Sequence, residues 1–111
     1  MKKLRIPKPE EQFDYFTNVP NMFIDELMRY LPPQSFVLLM IFSRKLYGYH
    51  KDRDYISSTQ LIEISGMSNK TVSKHLQILL DNNIIIKTRK EEPQKRTCAQ
   101  YKLNTDIYLD V

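Results

Sequence analysis

The tightest constraint on the fold is a helix stop followed at once by a helix start, within Gly66-Met67-Ser68. Glycine tolerates the positive φ with which many helices end. Serine is a preferred N-cap because its hydroxyl accepts a hydrogen bond from a free backbone N–H. The preceding helix has its own start signal, since Ser57 followed by Gln60 fits a capping box. The sequence therefore predicts two helices joined by a turn of about three residues, the spacing of a helix-turn-helix.

A further helix is predicted upstream, in the segment NVPNMFIDELMRYLPP. Asn18 or Asn21 can cap it, and Pro20 suits a first helical turn. Pro32 and Pro33 are expected to end it, because proline lacks the backbone N–H that a helix interior needs. A broad apolar stripe at helical spacing is formed by Phe23, Ile24, Leu27, Met28, Tyr30 and Leu31.

Between these units lies QSFVLLMIFSRKLYGYHK, in which residues 36–42 are seven consecutive apolar residues. A helix without a polar face in its middle packs on most sides, so this is predicted to be the central helix of a small bundle. Gly48 is a natural C-terminal stop. The apolar run is far shorter than the roughly 20 residues that a membrane span needs.

Short β-forming stretches lie on both sides of the helix-turn-helix. Tyr55 and Ile56 predict a short strand that must pair with a later one. The segments IIIK and YKL lie on either side of the charged loop RKEEPQKR and predict a β-hairpin. In the alternation, Ile84 and Ile86 point one way and Ile85 and Lys87 the other, while Tyr101 and Leu103 alternate with Lys102. The predicted fold is mainly α with a small β-wing, a winged helix-turn-helix.

Length and composition predict one domain with a basic character. The chain has 111 residues and a formal net charge of +4, a moderate lean toward polyanionic partners. Residues 1–12 are charged and contain two prolines, so we expect a flexible basic arm followed by a winged-helix DNA-binding domain over 13–111. The lone Cys98 and the lack of a signal-peptide pattern favour a cytoplasmic protein, in a bacterial or phage-infected cell, with no membrane partner.

The helix predicted from Asn69 to Asn82 divides into two faces. Val72, Leu76 and Leu79 share the inward face, with His75 and Leu80 on its flanks. No acid occurs in this helix before Asp81, whereas a merely solvated face usually mixes both charge signs. Amide side chains can pair with adenine edges, lysine with guanine, and threonine can offer a methyl group to thymine. The predicted DNA-reading residues are Asn69, Lys70, Thr71, Ser73, Lys74 and Gln77.

Ile78 fits neither face of this helix. It points toward the outward side, where it could form a dimer contact or pack under the N-terminal segment; the second is commoner.

Two further basic groups are candidates for contacts to the DNA backbone. Those on the predicted wing are Lys87, Arg89, Lys90, Lys95 and Arg96. The other group precedes the helix-turn-helix and includes Lys51 and Arg53, within a stretch that also contains Arg44, Lys45 and His50. The alternative for the wing is a solvated loop whose lysines keep an edge strand soluble.

Catalysis has little support in the sequence. His50 and His75 lack metal-ligand partners at helical spacing, and Cys98 in a predicted strand is more typical of a small buried residue than of a nucleophile. No phosphate-binding glycine loop or paired-carboxylate motif occurs. We therefore expect a protein that is not an enzyme and has no catalytic residues, metal site or cofactor.

Three blocks of this sequence resemble the N-terminal domain of the phage replication protein O family. They are FTNVPNMFIDELM, FVLLMIFSRKLYGYHKDRDYIS and STQLIEISGMSNKTVSKHLQILLDNNII, and together the resemblance covers about residues 13–104. Tyr49 stands where the family usually has Trp, and Asn82-Asn83 lack the glycine often found before the wing. The matching residues are Val19, Pro20, Asn21, Asp25, Arg44, Lys45, Tyr47, Gly48, Lys51, Asp54, Ile56, Ser57, Gln60, Leu61 and Gly66.

The resemblance implies an origin-binding domain of a phage or plasmid-type replication initiator. Members bind repeated origin sites in double-stranded DNA, commonly as homodimers, and recruit a helicase or helicase loader through a separate C-terminal region. This chain ends soon after the wing, so it is expected to be a truncated piece or to lack the recruiting part. The family's DNA contacts correspond here to the helix from Asn69 to Gln77 and to the wing.

Without the resemblance, the residues leave other functions open. A transcriptional repressor with the same fold would bind one operator instead of repeated origin sites, and fold alone does not separate the two. A winged helix that binds only protein is a further alternative. In that case, removing Lys70 and Lys74 would leave nucleic-acid affinity unchanged.

Overall fold

A computed structural model describes residues 3–10, 16–89 and 98–105 of the chain. In these ranges the order of elements is that of a winged helix-turn-helix, which confirms the predicted fold class. A first helix, α1, has a π-helical turn at Phe23–Leu27 and one α-helical turn at Met28–Tyr30. The other elements are α2 (Pro33–Leu46), β1 (Arg53–Ser57), α3 (Ser58–Ser65), α4 (Asn69–Asp81), β2 (Ile85–Arg89) and β3 (Cys98–Leu103).

The start of α1 differs from the prediction. The helical conformation already begins at Asn21, and neither Asn18 nor Asn21 makes a side-chain hydrogen bond that would cap it. The first turn is instead held by the backbone, with the Phe23 N–H donating to the Pro20 carbonyl at 3.0 Å.

The buried face of α1 is narrower than the predicted stripe. Only the row at i, i+4 spacing is buried, namely Phe23, Leu27 and Leu31. Ile24, Met28 and Tyr30 are exposed, because a helix that touches the domain along one side buries a single row.

Pro32 and Pro33 lie between the end of α1 and the start of α2. Leu31 leaves the helical conformation with ψ of 144°, and Pro33 is already the first residue of α2. A proline at this position loses nothing, since the first N–H groups of a helix have no partner within the helix.

As predicted, α2 is the central helix of the domain. Its fully buried residues include Leu38, Leu39, Phe42 and Leu46, and it packs against α3, α4 and the sheet. One side of α2 is more open than the apolar run suggested. There, Val37 of α2 and Ile64 of α3 are exposed and line a groove of about 340 Å³.

None of the helices that the structure describes is both long and apolar enough to cross a bilayer.

The end of α2 was predicted at Gly48, but the left-handed residue is His50, with φ of 55°. The α-helix ends at Leu46 and a 3-10 turn follows at Tyr47–Tyr49. Glycine at position 48 serves a different purpose, because a Cβ there would lie 2.8 Å from both Arg44 Nη1 and Thr17 Oγ1.

The three strands form an antiparallel sheet in the order β1-β3-β2. The short strand before the helix-turn-helix pairs with a later one, as predicted, and Arg53 lies opposite Lys102. Along β3 the burial alternates, with Ala99, Tyr101 and Leu103 facing the core. The Tyr101 ring meets Phe42 of α2 edge-on, with centroids 5.3 Å apart, so the sheet packs directly on the central helix.

Two predictions about side-chain placement in the sheet were wrong. Ile85 and Lys87 share one face as predicted, since they pair with Leu103 and Tyr101. Ile84, however, precedes β2 and is buried together with Ile85, while Ile86 is only half-buried. The reason is that Ile84 closes the end of α4, its N–H donating to the Leu79 carbonyl at 3.0 Å, so strand alternation begins one residue later. Cys98 is half-buried, and the small buried residue is its neighbour Ala99.

Candidate nucleic-acid interface

The geometry of the helix-turn-helix is fixed by the three local signals that the sequence predicted. Ser57 and Gln60 form a complete capping box, with Gln60 N–H donating to Ser57 Oγ at 3.1 Å and Ser57 N–H to Gln60 Oε1 at 3.0 Å. Gly66 ends α3 with φ of 71°. A Cβ at Gly66 would meet nothing within 4 Å, so the position needs glycine for its backbone conformation.

The start of α4 is fixed by Ser68, whose Oγ accepts from the Thr71 N–H at 3.2 Å. The same hydroxyl donates to Thr71 Oγ1 at 2.9 Å. Thr71 is half-buried and contributes to the cap, so it is less available for DNA reading than the sequence suggested. The two hydroxyls hold the leading turn of α4 in one conformation.

The inward face of α4 packs on α2 through both apolar and polar contacts. Val72 and Leu79 are buried, and Leu76 is half-buried. His75, predicted on the flank of this face, is also buried, with Nδ1 3.0 Å from Ser35 Oγ of α2. The Ser35 hydroxyl also lies 3.3 Å from the His75 carbonyl oxygen. Apolar packing and this buried polar contact therefore fix how α4 is placed on the domain.

The outward face of α4 presents most of the predicted reading residues to solvent. Lysine and amide side chains on one exposed helical surface are able to hydrogen-bond both phosphates and base edges. Gln77 makes one contact on this surface, where its Nε2 donates to Asp81 Oδ1 at 2.8 Å. Ile78 is half-buried, so little of it is available for a dimer contact. The exposed residues are Asn69, Lys70, Ser73, Lys74 and Gln77.

The basic stretch before α3 is partly neutralised by neighbouring acids. Lys51 Nζ lies 3.2 Å from Asp54 Oδ2, and Arg53 Nη2 lies 3.0 Å from Asp52 Oδ2. Exposed ion pairs of this kind contribute little stability, so a phosphate can compete with either carboxylate. The structure thus places both predicted cations at the surface but gives each an acidic partner.

Arg44, in the same stretch, has a structural role. Its guanidinium lies 4.4 Å from the centroid of the Tyr49 ring, and Nη2 donates to the Tyr49 hydroxyl at 3.2 Å. The aromatic ring of Tyr49 therefore makes a cation–π contact with Arg44. Gly48 leaves the space that the arginine occupies.

The wing cations are separated by a bulge in β2. Lys87 lies opposite Tyr101 but Arg89 lies opposite Gln100, so Thr88 is the extra residue. Its Oγ1 donates to Gln100 Oε1 at 2.9 Å. Paired residues on neighbouring strands project from the same face of the sheet, so Lys87 lies on the face of Tyr101. Lys87 Nζ is 5.9 Å from the centroid of the Tyr101 ring. Arg89 pairs with Gln100 and therefore projects from the other face. The predicted contacts Lys90, Lys95 and Arg96 lie outside the described residues.

The link between α4 and the wing is built on asparagine residues. Asn83 adopts φ of 57°, which asparagine tolerates better than most residues. Asn104 Nδ2 donates to the Asn83 carbonyl at 2.7 Å and Asn82 Nδ2 to the Ile78 carbonyl at 2.8 Å. Asparagine therefore supplies the left-handed conformation of the link, and its neighbours hold it with two side-chain hydrogen bonds.

Sequence reasoning did not find four residues that shape this surface: Ser35, Asp81, Thr88 and Asn104. Asp81 carried a signal, because it lies four residues after Gln77 and such residues meet on a helix. The others act through contacts between segments distant in sequence, for which a single sequence offers no local signal.

Comparison with known proteins agrees with these observations. A family model described as bacteriophage replication protein O matches residues 8–101. Neither a curated protein nor a solved structure shows a significant match. The family match extends over α1 to β3 and so includes the helix-turn-helix with its flanking strands.

Proposed function

Since the chain belongs to the bacteriophage replication protein O family, we propose that its role in replication is sequence-specific binding of double-stranded DNA at origin repeats. The outward face of α4 enters the major groove and reads bases. The wing and the cations near β1 contact the phosphate backbone. Binding of this kind needs no cofactor and no catalytic residue.

The observation that carries the proposal is the acid-free surface of α4 from Asn69 to Gln77. Lys70 and Lys74 are exposed one turn apart, and Asn69, Ser73 and Gln77 are exposed around them. Lysine can contact phosphates or guanine, and the amides can contact adenine, so the surface contains both non-specific and specific contact types. The buried face behind it packs on α2, which gives the reading side chains a fixed support.

The wing supports the proposal through its charge and its placement. Lys87 and Arg89 project from opposite faces of β2 because of the bulge at Thr88. Both cations are exposed, and their different directions allow contacts to different phosphates. Such contacts add affinity for every sequence and carry no base preference.

Selection from a library of random DNA duplexes tests the proposal, followed by affinity measurements on the selected site. We expect an enriched motif, and the spacing and symmetry of its repeats report whether two copies bind together. Lys74→Ala should weaken binding to the selected site by several-fold. Arg29→Ala, which removes an exposed cation of α1, is the matched control and should leave the affinity close to that of the wild type.

Two results would count against the proposal. One is an unenriched library, which would remove sequence-specific binding. The other is an equal effect of Lys74→Ala and Arg29→Ala, which would mean that α4 does not contact the DNA.

A further inference from the structure

Asp81 is an acidic residue at the end of a face that is otherwise free of acids. It is the last residue of α4 and is exposed. A negative charge in the last turn of a helix is disfavoured by the helix dipole. If α4 lies in a DNA groove, the same charge also repels phosphates. Neither the helix dipole nor phosphate affinity therefore accounts for an acid at this position.

What Asp81 does in the structure is accept a hydrogen bond from Gln77. Gln77 Nε2 donates to Asp81 Oδ1 at 2.8 Å, across one helical turn. A bond to an ionised acceptor is stronger than one between neutral groups. The contact therefore restrains the side chain of one of the proposed base-reading residues.

This restraint fixes which end of the Gln77 amide faces the carboxylate. An ionised carboxylate only accepts hydrogen bonds, so it selects the NH₂ end of the amide. If the amide were rotated by half a turn, its Oε1 would lie against Asp81 Oδ1 and the two oxygens would repel each other. With Asp81 present, the remaining N–H and Oε1 of Gln77 are offered to a ligand in one fixed order.

We propose that Asp81 is a specificity-determining residue that acts by positioning Gln77 for one base pair. This rests on the proposed function. Adenine presents the N7 acceptor and the N6 donor side by side in the major groove, and glutamine pairs with both. A fixed order of donor and acceptor matches an A·T pair in one orientation and mismatches the reversed T·A pair at the same position. Asp81 itself makes no contact with the base.

The test compares DNA preferences of the wild type with those of Gln77→Ala, Asp81→Ala and Asp81→Asn. The base pair at which Gln77→Ala loses its preference identifies the position that Gln77 reads. At that position, Asp81→Ala should reduce the preference for A·T over T·A by roughly fivefold or more. Asp81→Asn presents both a donor and an acceptor to Gln77, so it no longer selects one end of the amide and should also reduce the preference.

Overall affinity separates positioning from charge. Both Asp81 variants remove one negative charge, so both should bind all duplexes more tightly. Asp81→Ala with a wild-type preference and raised affinity would overturn the proposal, as Asp81 would then act by charge alone. A wild-type preference in Asp81→Asn would also overturn it, because an acceptor-only carboxylate would then not be needed to order the Gln77 amide. A wild-type protein with no preference would instead remove the proposed function.

Discussion

His75 Nδ1 of α4 lies 3.0 Å from Ser35 Oγ of α2, and both side chains are buried. The contact joins two helices whose residues are far apart in sequence, and His75 directly follows the exposed Lys74. It therefore links the stability of the domain to the placement of the surface that we propose reads DNA.

We expect Ser35→Ala to lower the free energy of unfolding by about 1–3 kcal/mol, because the imidazole stays buried without its hydroxyl partner. Ser43→Ala is the matched control. Ser43 is equally buried, but its hydroxyl donates to the Leu39 carbonyl of its own helix at 2.9 Å, so its loss leaves no side chain unpaired. Urea denaturation measures both variants. Equal decreases in the free energy of unfolding would show that the contact between α2 and α4 contributes no more than a hydrogen bond within one helix.

The turn of the helix-turn-helix gives a second prediction. Gly66→Ala should lower the free energy of unfolding by about 1–2 kcal/mol, because a Cβ disfavours the left-handed conformation. The space around Gly66 is open, so no steric clash adds to this loss. Gly66→Asn should lower the free energy of unfolding by a smaller amount, since asparagine tolerates positive φ. Thermal denaturation distinguishes them, and an asparagine variant as unstable as the alanine variant would contradict the backbone explanation.

The link before the wing gives a third prediction, in which asparagine is the native residue at positive φ and glycine is the substitute. Asn83 has φ of 57°, so Asn83→Ala should lower the free energy of unfolding by about 1 kcal/mol. Asn83→Gly should change it by less than about 0.5 kcal/mol, since glycine adopts the same conformation without strain but loses more entropy on folding. The pair is measured by urea denaturation, and a glycine variant as unstable as the alanine variant would contradict the explanation.

The salt dependence of DNA binding gives a fourth prediction. If Lys70 and Lys74 each neutralise a phosphate, each alanine variant should make the slope of log affinity against log salt less steep by roughly 0.9. Fluorescence anisotropy titrations over a range of salt concentrations measure the slope. Arg29→Ala should leave it unchanged. An unaltered slope in both lysine variants would mean that these side chains contact bases or solvent, not phosphates.

The parts of the fold that the sequence predicted are those that depend on neighbouring residues. The capping box at Ser57, the stop at Gly66 and the cap at Ser68 are each complete within four residues, so residue type and spacing suffice. The face of α4 followed from helical periodicity for the same reason. These local features were enough to predict the winged helix-turn-helix.

The parts that could not be predicted depend on contacts between distant segments. Gly48 was interpreted as a helix stop because glycine commonly ends helices, but its small size lets the Arg44 and Thr17 side chains approach closely. The extra residue at Thr88 is visible only when β2 is aligned with β3. His75 is buried against Ser35 of α2, and the helical periodicity of α4 carries no information about that contact.

The position of β1 between α2 and α3 has a consequence for the order of folding. β3 is the middle strand, and it pairs with β1 across the whole helix-turn-helix, with Arg53 opposite Lys102. Closing a long stretch of chain is entropically costly and slow, whereas helices and short turns form quickly. We therefore expect the three-stranded sheet to form after the two helices have docked. Pulsed hydrogen exchange during refolding would then show protection of α4 before protection of β3.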